Sequence, residues 1–300
     1  MAVDRSASLP ALDAPVILIG GRSRSAAAIR AALPGARMFT VAREGARADA
    51  TTPDYAQVPA GVPFEGATVI NCVGTDRGDP ALLDRLNRAA PAAWAKASRA
   101  GGARQFIQLS SFSVYAPTGI VHQGSALGPG SAYGRSKMAA EQDLSALATD
   151  AFAVALLRVP ILVSGDRAGA TDKLATLLKA LRRARIVPGV TPAVRRAMLT
   201  YQGLGAAVAL LAARRANGVF AAADREPFTY ELVAECAAAA GRPLLRLPIP
   251  RAGVRLLARA APSLSQRLFE SMELASDYNL LADERYPGGL REAICNQLAG

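Results

Sequence analysis

The chain predicts an α/β fold, a doubly wound parallel sheet with a smaller C-terminal lobe, and three observations carry that expectation. Strand-like apolar runs alternate with helical stretches, the order that builds parallel sheets. The first run, Ala14-Pro15-Val16-Ile17-Leu18-Ile19, passes straight into Gly20-Gly21-Arg22-Ser23-Arg24-Ser25-Ala26-Ala27-Ala28-Ile29, a strand, a small-residue turn and a helix. Finally, 300 residues are enough to bury a large core and still leave a second lobe.

Taken in order, strands are expected at 16–19, 38–42, 69–73, 105–110, 154–159 and 219–222. Helices at Ser25–Leu33, Pro80–Ala100 and Ala132–Ala148 connect the earlier ones. Beyond them, Thr171–Arg185 reads as a helix, Arg196–Leu199 as a short strand and Leu204–Arg215 as an alanine-rich helix. Thr229 is an N-cap with Glu231 in the first turn, opening a helix to Ala240 that Gly241 ends. Residues 1–13 are expected to be a disordered lead, and no internal repeat or low-complexity linker follows. One lobe takes 14–165 plus about 186–222, and the other about 166–185 and 223–300.

Composition narrows the class. The hydrophobic fraction is 51% and mean hydropathy +0.18, but alanine supplies much of this. No stretch approaches the ~18 uninterrupted apolar residues of a membrane span, so no membrane insertion is expected. The early Asp4 and the lack of a continuous apolar segment argue against a signal peptide. Cys72, Cys236 and Cys295 are odd in number, far apart in sequence and without CxxC spacing, which points to a reducing cytoplasm and to no metal site. The single histidine, His122, reads as a loop residue. The net charge of +11 comes almost entirely from arginine, the lysines being only Lys96, Lys137, Lys173 and Lys179. These arginines are scattered apart from 182–185 and 195–196, and no aromatic stacking motif accompanies them, so nucleic acid is not the expected partner.

The chemistry is concentrated elsewhere. In Ser131-Ala132-Tyr133-Gly134-Arg135-Ser136-Lys137, a phenol and an ammonium four residues apart share one helix face. A fixed cation beside a phenol favours phenolate and lowers its pKa toward the working range of an acid/base. Upstream, the strand Gln105-Phe106-Ile107-Gln108-Leu109 ends in Ser110-Ser111-Phe112-Ser113-Val114-Tyr115, so hydroxyls sit at a strand's C-terminal end, where open α/β sheets bind ligands. The turn at Gly20 is where a dinucleotide pyrophosphate would rest, against a helix N-terminus.

Read together over nearly the whole chain, these segments resemble an extended short-chain dehydrogenase/reductase of the nucleotide-sugar epimerase, dehydratase and 4-ketoreductase branch. The likeness also runs through Val69-Ile70-Asn71-Cys72-Val73-Gly74, Asn87, Leu157-Arg158-Val159-Pro160-Ile161-Leu162-Val163-Ser164-Gly165, Phe228-Thr229-Tyr230-Glu231-Leu232 and Gly288-Gly289-Leu290-Arg291-Glu292. That tail is similar to bacterial surface-polysaccharide members described as UDP-sugar 4-epimerases. The resemblance implies a Rossmann core that binds NADP or NAD and a C-terminal substrate lobe. It implies Tyr133 as acid/base, Lys137 as its activator and ribose ligand, and Ser111 as hydrogen-bond partner of the reacting oxygen. Ser113 would touch substrate, and Arg195 or Arg196 would meet the nucleotide diphosphate. Cofactor contacts would come from Gly20, Arg22, Ser23, Arg24, Ala26, Arg43, Asp49, Val73, Lys137, Pro160 and Leu162. Arg43 at the end of the second strand leans toward NADP, since an arginine suits a 2′-phosphate, while Glu44 keeps NAD open. Related proteins pair the helices matching Pro80–Ala100 and Ala132–Ala148 across a two-fold axis, so a homodimer is expected.

Two departures from the family pattern matter. Where it has Gly-x-x-Gly-x-x-Gly, this chain has Gly20, Ser23 and Ala26, which opens the alternative of a non-catalytic nucleotide-binding protein. After Arg196, where an acid is common, it has Gln202, which leaves the local hydrogen bonding to be accounted for.

Overall fold

Val16–Ile19, four apolar residues in a row, form strand β1 and are buried throughout. Such a run belongs at the centre of a parallel sheet covered on both faces. β1 lies between β2 (Met38–Arg43) and β4 (Thr68–Asn71), and the sheet continues through β3 (Ala50–Thr52) beside β2 on one side. On the other side come β5 (Gln105–Ser111), β7 (Ala153–Val159) and β11 (Gly218–Ala221). All seven strands are parallel, in the order β3-β2-β1-β4-β5-β7-β11, a Rossmann-type doubly wound sheet. The computed structural model describes residues 12, 14–45, 47–117, 119–165, 173–190, 193–261, 265, 268–282, 286 and 288–299. The expected lead at 1–13 lies, apart from residue 12, outside them, as do 166–172 of the expected second lobe.

The described residues pack as two units. Unit 1 holds those up to Ala116 with Ala126–Val159 and Leu204–Ala222; unit 2 holds those of Pro117–Ser125, Pro160–Gly203 and Ala223 onward. Residues 160–165 and 186–203, assigned from sequence to the first lobe, therefore pack in unit 2. The reason is pairing: β8 (Ile161–Val163) bonds β10 (Met198–Thr200) and not the large sheet.

In unit 1, α1 (Arg24–Ala32) follows β1. The single helix expected over Pro80–Ala100 is α2 (Pro80–Asp84), a π-helical turn (Arg85–Ala89) and α3 (Ala90–Ala100). The wider turn carries Asn87, which is fully buried. α4 (Ala132–Ser145) stops short of Ala148 because Leu147 and Ala148 turn back onto Leu144 and Ser145. Trp94, Phe106 and Phe152 fill one face of the sheet, each contributing roughly 2–3 kcal/mol of burial. Trp94 also donates to the Tyr55 carbonyl at 2.8 Å, which satisfies its one polar atom.

Unit 2 carries three two-stranded pairs: β8 with β10, β9 (Ile186–Val190) with β12 (Leu245–Ile249), and β6 (Ile120–Val121) with β13 (Glu273–Leu274). Its helices are α5 (Lys173–Ala184), the start of α6 (Tyr201–Ala213), α7 (Tyr230–Ala239), α8 (Arg251–Ala260) and α9 (Leu290–Leu298). Thr229 caps α7 by accepting the Leu232 N–H at 3.0 Å, and Gly241 ends it with a φ of +71°. One cysteine expectation is corrected here. Cys236 on α7 and Cys295 on α9 form a disulfide across a sequence separation of 59, since two packed helices bring their Cα atoms to 4.7 Å. The cysteine argument for a reducing compartment falls with it. Among the described residues, no helix is long and apolar enough to cross a membrane.

Candidate active site

The chain runs from β1 outward to β2 and β3, then returns to begin again at β4, so the order of the sheet reverses between β1 and β4. Ligands of doubly wound sheets bind outside the strand ends at such a reversal. Gly20 leaves β1 there with a φ of +77°, a conformation that costs L residues dearly. A Cβ at Gly20 would lie 2.9 Å from Cγ2 of Val73, which follows β4. Ser23 is the N-cap of α1, with φ −71°, and its hydroxyl accepts the Ala26 N–H at 3.1 Å. Ala26 is buried inside the first helical turn. Neither position has a positive φ, so replacing the two later glycines by serine and alanine leaves the backbone of the turn unstrained. The first turn of α1 holds no acid, while Arg22 and Arg24 are exposed beside it, so the helix end is electropositive.

The rim of this crevice is formed by the ends of β2 and β4. Arg43 closes β2 and is exposed; its charge acts on Asp54 and on Tyr55, whose phenol oxygen accepts the Arg43 backbone N–H. Asp49 accepts the Thr40 N–H at 2.7 Å and the Thr40 hydroxyl at 2.8 Å through one carboxylate oxygen, and these bonds hold its pKa below the usual range. It thus ties the β2–β3 connection together. Cys72, beside Val73, shares a hydrogen bond with the Ser23 hydroxyl, and burial pushes its thiol up to about 12.

Ser111, Tyr133 and Lys137 come together at the end of β5. Ser131 caps α4 by accepting the Gly134 N–H at 3.0 Å, and a Cβ on Gly134 would collide with the Ser113 carbonyl. The helix therefore reaches the serine turn only because residue 134 is glycine. Ser111 hydrogen-bonds the Tyr133 hydroxyl, and its Oγ lies 3.2 Å from that of Ser113. Lys137, buried, donates to the Leu109 carbonyl at 3.0 Å and stands 6.0 Å from the Tyr133 ring centre. Gly74 packs closely against this ammonium: a Cβ there would fall 3.1 Å from Nζ and 3.0 Å from Asn87 Oδ1. Asn87 bridges elements, accepting the Thr75 N–H and donating to the Thr75 carbonyl and to Ser136 on α4.

The electrostatics differ from the sequence expectation at one point. Burial raises the Tyr133 pKa above its ordinary value and the Asp76 charge raises it further, against the lowering effect of Ser111. Lys137 is itself pulled down to about 8 by burial, with Glu141 opposing. In the protein alone the phenol is therefore protonated, because burial and the Asp76 charge outweigh the Ser111 hydrogen bond.

Unit 2 holds the remaining predicted residues. Pro160 follows directly on β7, and Leu162 sits in β8. Arg195 is engaged with Glu273, its Nε 2.9 Å from both carboxylate oxygens. Arg196 bonds the Glu270 carbonyl at 2.7 Å and exchanges backbone bonds with Phe228. Gln202 stands where the family commonly has an acid, and the buried acid of this region is Asp224. Asp224 accepts the Thr200 N–H at 2.7 Å, the Gly289 N–H at 2.8 Å and the Tyr286 hydroxyl at 3.2 Å. His122 accepts the Gly124 N–H within its loop, and no described group of three or more His, Cys, Asp or Glu could hold a metal ion.

Sequence reasoning missed Asp76, Gly134 and Glu141. Glu141 was legible in principle, one helical turn beyond Lys137. Asp76 and Gly134 act through loop packing that no spacing announces.

Comparisons with known proteins agree with this geometry. The model of the family described as "NAD dependent epimerase/dehydratase family" matches residues 36–194. Among curated proteins no sequence match is found. The solved structure of human epimerase family protein SDR39U1 (isoform 2) with NADPH is similar at a TM-score of 0.72 and 16% identity, covering 95% of this chain and 99% of that one. The dTDP-4-dehydrorhamnose reductase of Yersinia enterocolitica gives 0.68 at 14% identity, with 95% and 99% covered. MoeE5 in complex with UDP-glucose and NAD gives 0.64 at 17%, with 95% and 97% covered. At these identities the three structures establish the fold.

Proposed function

Because the chain belongs to the NAD dependent epimerase/dehydratase family, of short-chain dehydrogenase/reductase type and dependent on a nicotinamide dinucleotide, we propose that it transfers hydride at a carbon of a nucleotide sugar, as a 4-epimerase or 4-ketoreductase of UDP- or dTDP-type substrates. The observation that supports this most is the convergence of Ser111, Tyr133 and Lys137 at the end of β5. When bound, the nicotinamide takes or supplies the hydride. Tyr133 moves the proton at the sugar oxygen, and Ser111 hydrogen-bonds that same oxygen. The protonated phenol suits donation to a developing alkoxide, the step of ketone reduction. Lys137 binds the nicotinamide ribose and stabilises phenolate when the reaction runs the other way. A dehydratase fits less well, because that branch resembles a Thr-Asp-Glu arrangement where this chain has Ser111-Phe112-Ser113.

Gly20, Arg22, Ser23, Arg24, Ala26 and Val73 would hold the pyrophosphate end of the dinucleotide, with Asp49 beside the adenine and Pro160 and Leu162 beside the nicotinamide. Arg43, with Arg22 and Arg24, favours NADP through its 2′-phosphate. Arg195 and Arg196 are assigned to the nucleotide diphosphate, and Arg195 would exchange Glu273 for it. Ser113 lines the sugar. The alternative of a non-catalytic nucleotide binder loses its motive, since the residues replacing glycine occupy ordinary backbone conformations. A homodimer through the Pro80–Ala100 and Ala132–Ala148 region completes the proposal; exposed Leu82 lies there, and light scattering at micromolar concentration tests it.

The reaction is tested by mixing purified protein with NADPH or NADH and nucleotide 4-ketosugars, then with UDP-hexoses, following nicotinamide absorbance and sugar NMR. Net cofactor consumption identifies a ketoreductase, and interconversion without it an epimerase. Tyr133→Phe should lose at least ~100-fold of turnover while remaining folded. A fully active Tyr133→Phe protein would overturn the assigned chemistry.

A further inference from the structure

We propose that Glu141 is a positioning residue of this site: its buried carboxylate keeps Lys137 charged and fastens α4 to the ends of β5 and β7 through Ser110 and Arg158. This rests on the proposed role of Lys137 beside Tyr133. Residues 133, 137 and 141 follow one another at single-turn intervals along one face of α4. Oε1 of Glu141 accepts the Ser110 hydroxyl at 2.5 Å and Arg158 Nε at 3.0 Å, while Oε2 accepts Arg158 Nη2 at 2.6 Å. Ser110 and Arg158 are register partners on neighbouring strands, one residue before Ser111 and Val159. A single carboxylate thus joins the helix that carries Tyr133 to the strand that carries Ser111. All three side chains are buried, and Arg158 also lies over the Tyr115 ring, 4.9 Å from its centre.

The charge balance makes this more than a fastening. Burying an ammonium is unfavourable unless an opposite charge or hydrogen-bond acceptors compensate. The groups facing Lys137 are Tyr133 and Glu141 from α4, the Leu109 carbonyl from β5, and Asn87 and Gly74, which are neutral. Among these described groups, Glu141 alone carries a negative charge, and it alone works against the burial that draws the Lys137 pKa down to about 8. Arg158 pairs with this carboxylate, Nη2 lying 2.6 Å from Oε2. Without the anion, Lys137 would shed its proton at lower pH, and Tyr133 would lose its neighbouring cation. A residue that merely packs would leave the lysine's titration alone.

The chain has four lysines, so protein labelled with 13C at the lysine ε-carbons gives few resonances, and Lys137→Met assigns the one of interest. A pH titration of the whole protein should find Lys137 near about 8, falling by about one unit in Glu141→Gln, as expected for loss of an adjacent opposite charge. Ser110→Ala removes a hydrogen bond to the carboxylate and no charge, so the Lys137 titration should stay in place. If Glu141→Gln leaves Arg158 too poorly matched to fold, Glu141→Gln with Arg158→Met removes both charges, and Lys137 should still titrate below wild type. An unchanged Lys137 titration in whichever folded protein carries Glu141→Gln, or an equal fall in Ser110→Ala, would overturn the proposal. The readout needs neither substrate nor turnover, so a wrong sugar assignment would leave it standing.

Discussion

Restoring the family glycines in the turn after β1 should weaken this protein, while altering the one glycine it retains should disable it. Gly20 has a φ of +77°, and an L residue in that region costs roughly 1–2 kcal/mol. A Cβ there would also press on Val73 Cγ2 at 2.9 Å and on the Cys72 carbonyl carbon at 3.4 Å. Overpacking of that kind adds roughly 1–3 kcal/mol, so Gly20→Ala should lose about 2–5 kcal/mol in all. It should also displace the loop after β4, and with it the backbone proposed to face the cofactor. Ser23→Gly gives up the hydrogen bond to Cys72 and the cap bond to Ala26, the cap costing about 0.3 kcal/mol. Ala26→Gly places glycine in a helix and empties a buried methyl site, costing about 1 kcal/mol. Urea denaturation gives the stabilities, and quenching or enhancement of NADPH fluorescence gives the binding. A Gly20→Ala protein of wild-type stability, or an Ala26→Gly protein that is more stable and binds NADPH more tightly, would refute the reasoning.

Arg43→Ala should weaken NADP(H) more than NAD(H), because only the former has a 2′-phosphate to lose; equal weakening in paired titrations would remove the basis of the preference. Burial holds Lys137 at about 8, below its ordinary value of 10.5, so between those values the unfolded chain binds more protons. That contribution to stability therefore rises with pH through the window, by roughly 3 kcal/mol, and is absent in Lys137→Met. Denaturant midpoints of wild type minus Lys137→Met, taken from about pH 7 to about pH 10, should show the rise, and a flat difference contradicts it. Opening the Cys236–Cys295 link, which spans 59 residues, should lower stability by roughly 4 kcal/mol on the loop-entropy model. Melting with and without reductant, with thiols counted, checks this; unchanged melting of fully reduced protein goes against it.

The sequence alone determined the doubly wound sheet, because strands buried on both faces must be written as continuous apolar runs, as Val16–Ile19 and Ala153–Leu157 are. It also placed Tyr133 and Lys137 on one face, since helical periodicity is local information. The serine turn at the end of β5 was legible for the same reason. Short strands such as β3 and β8 were not, for three residues carry no period and their partners are distant in the chain. Tertiary structure decided that Gly20 is the turn position whose backbone requires glycine, because φ follows from how the β1 and β4 ends meet. It decided that Cys236 meets Cys295 across two packed helices, and that Asp224 gathers the N–H groups of Thr200 and Gly289. It also decided the sign of the Tyr133 shift. A pKa depends on burial and on charges brought from other elements, here Asp76 from the loop after β4, and neither is written in the spacing of a helix.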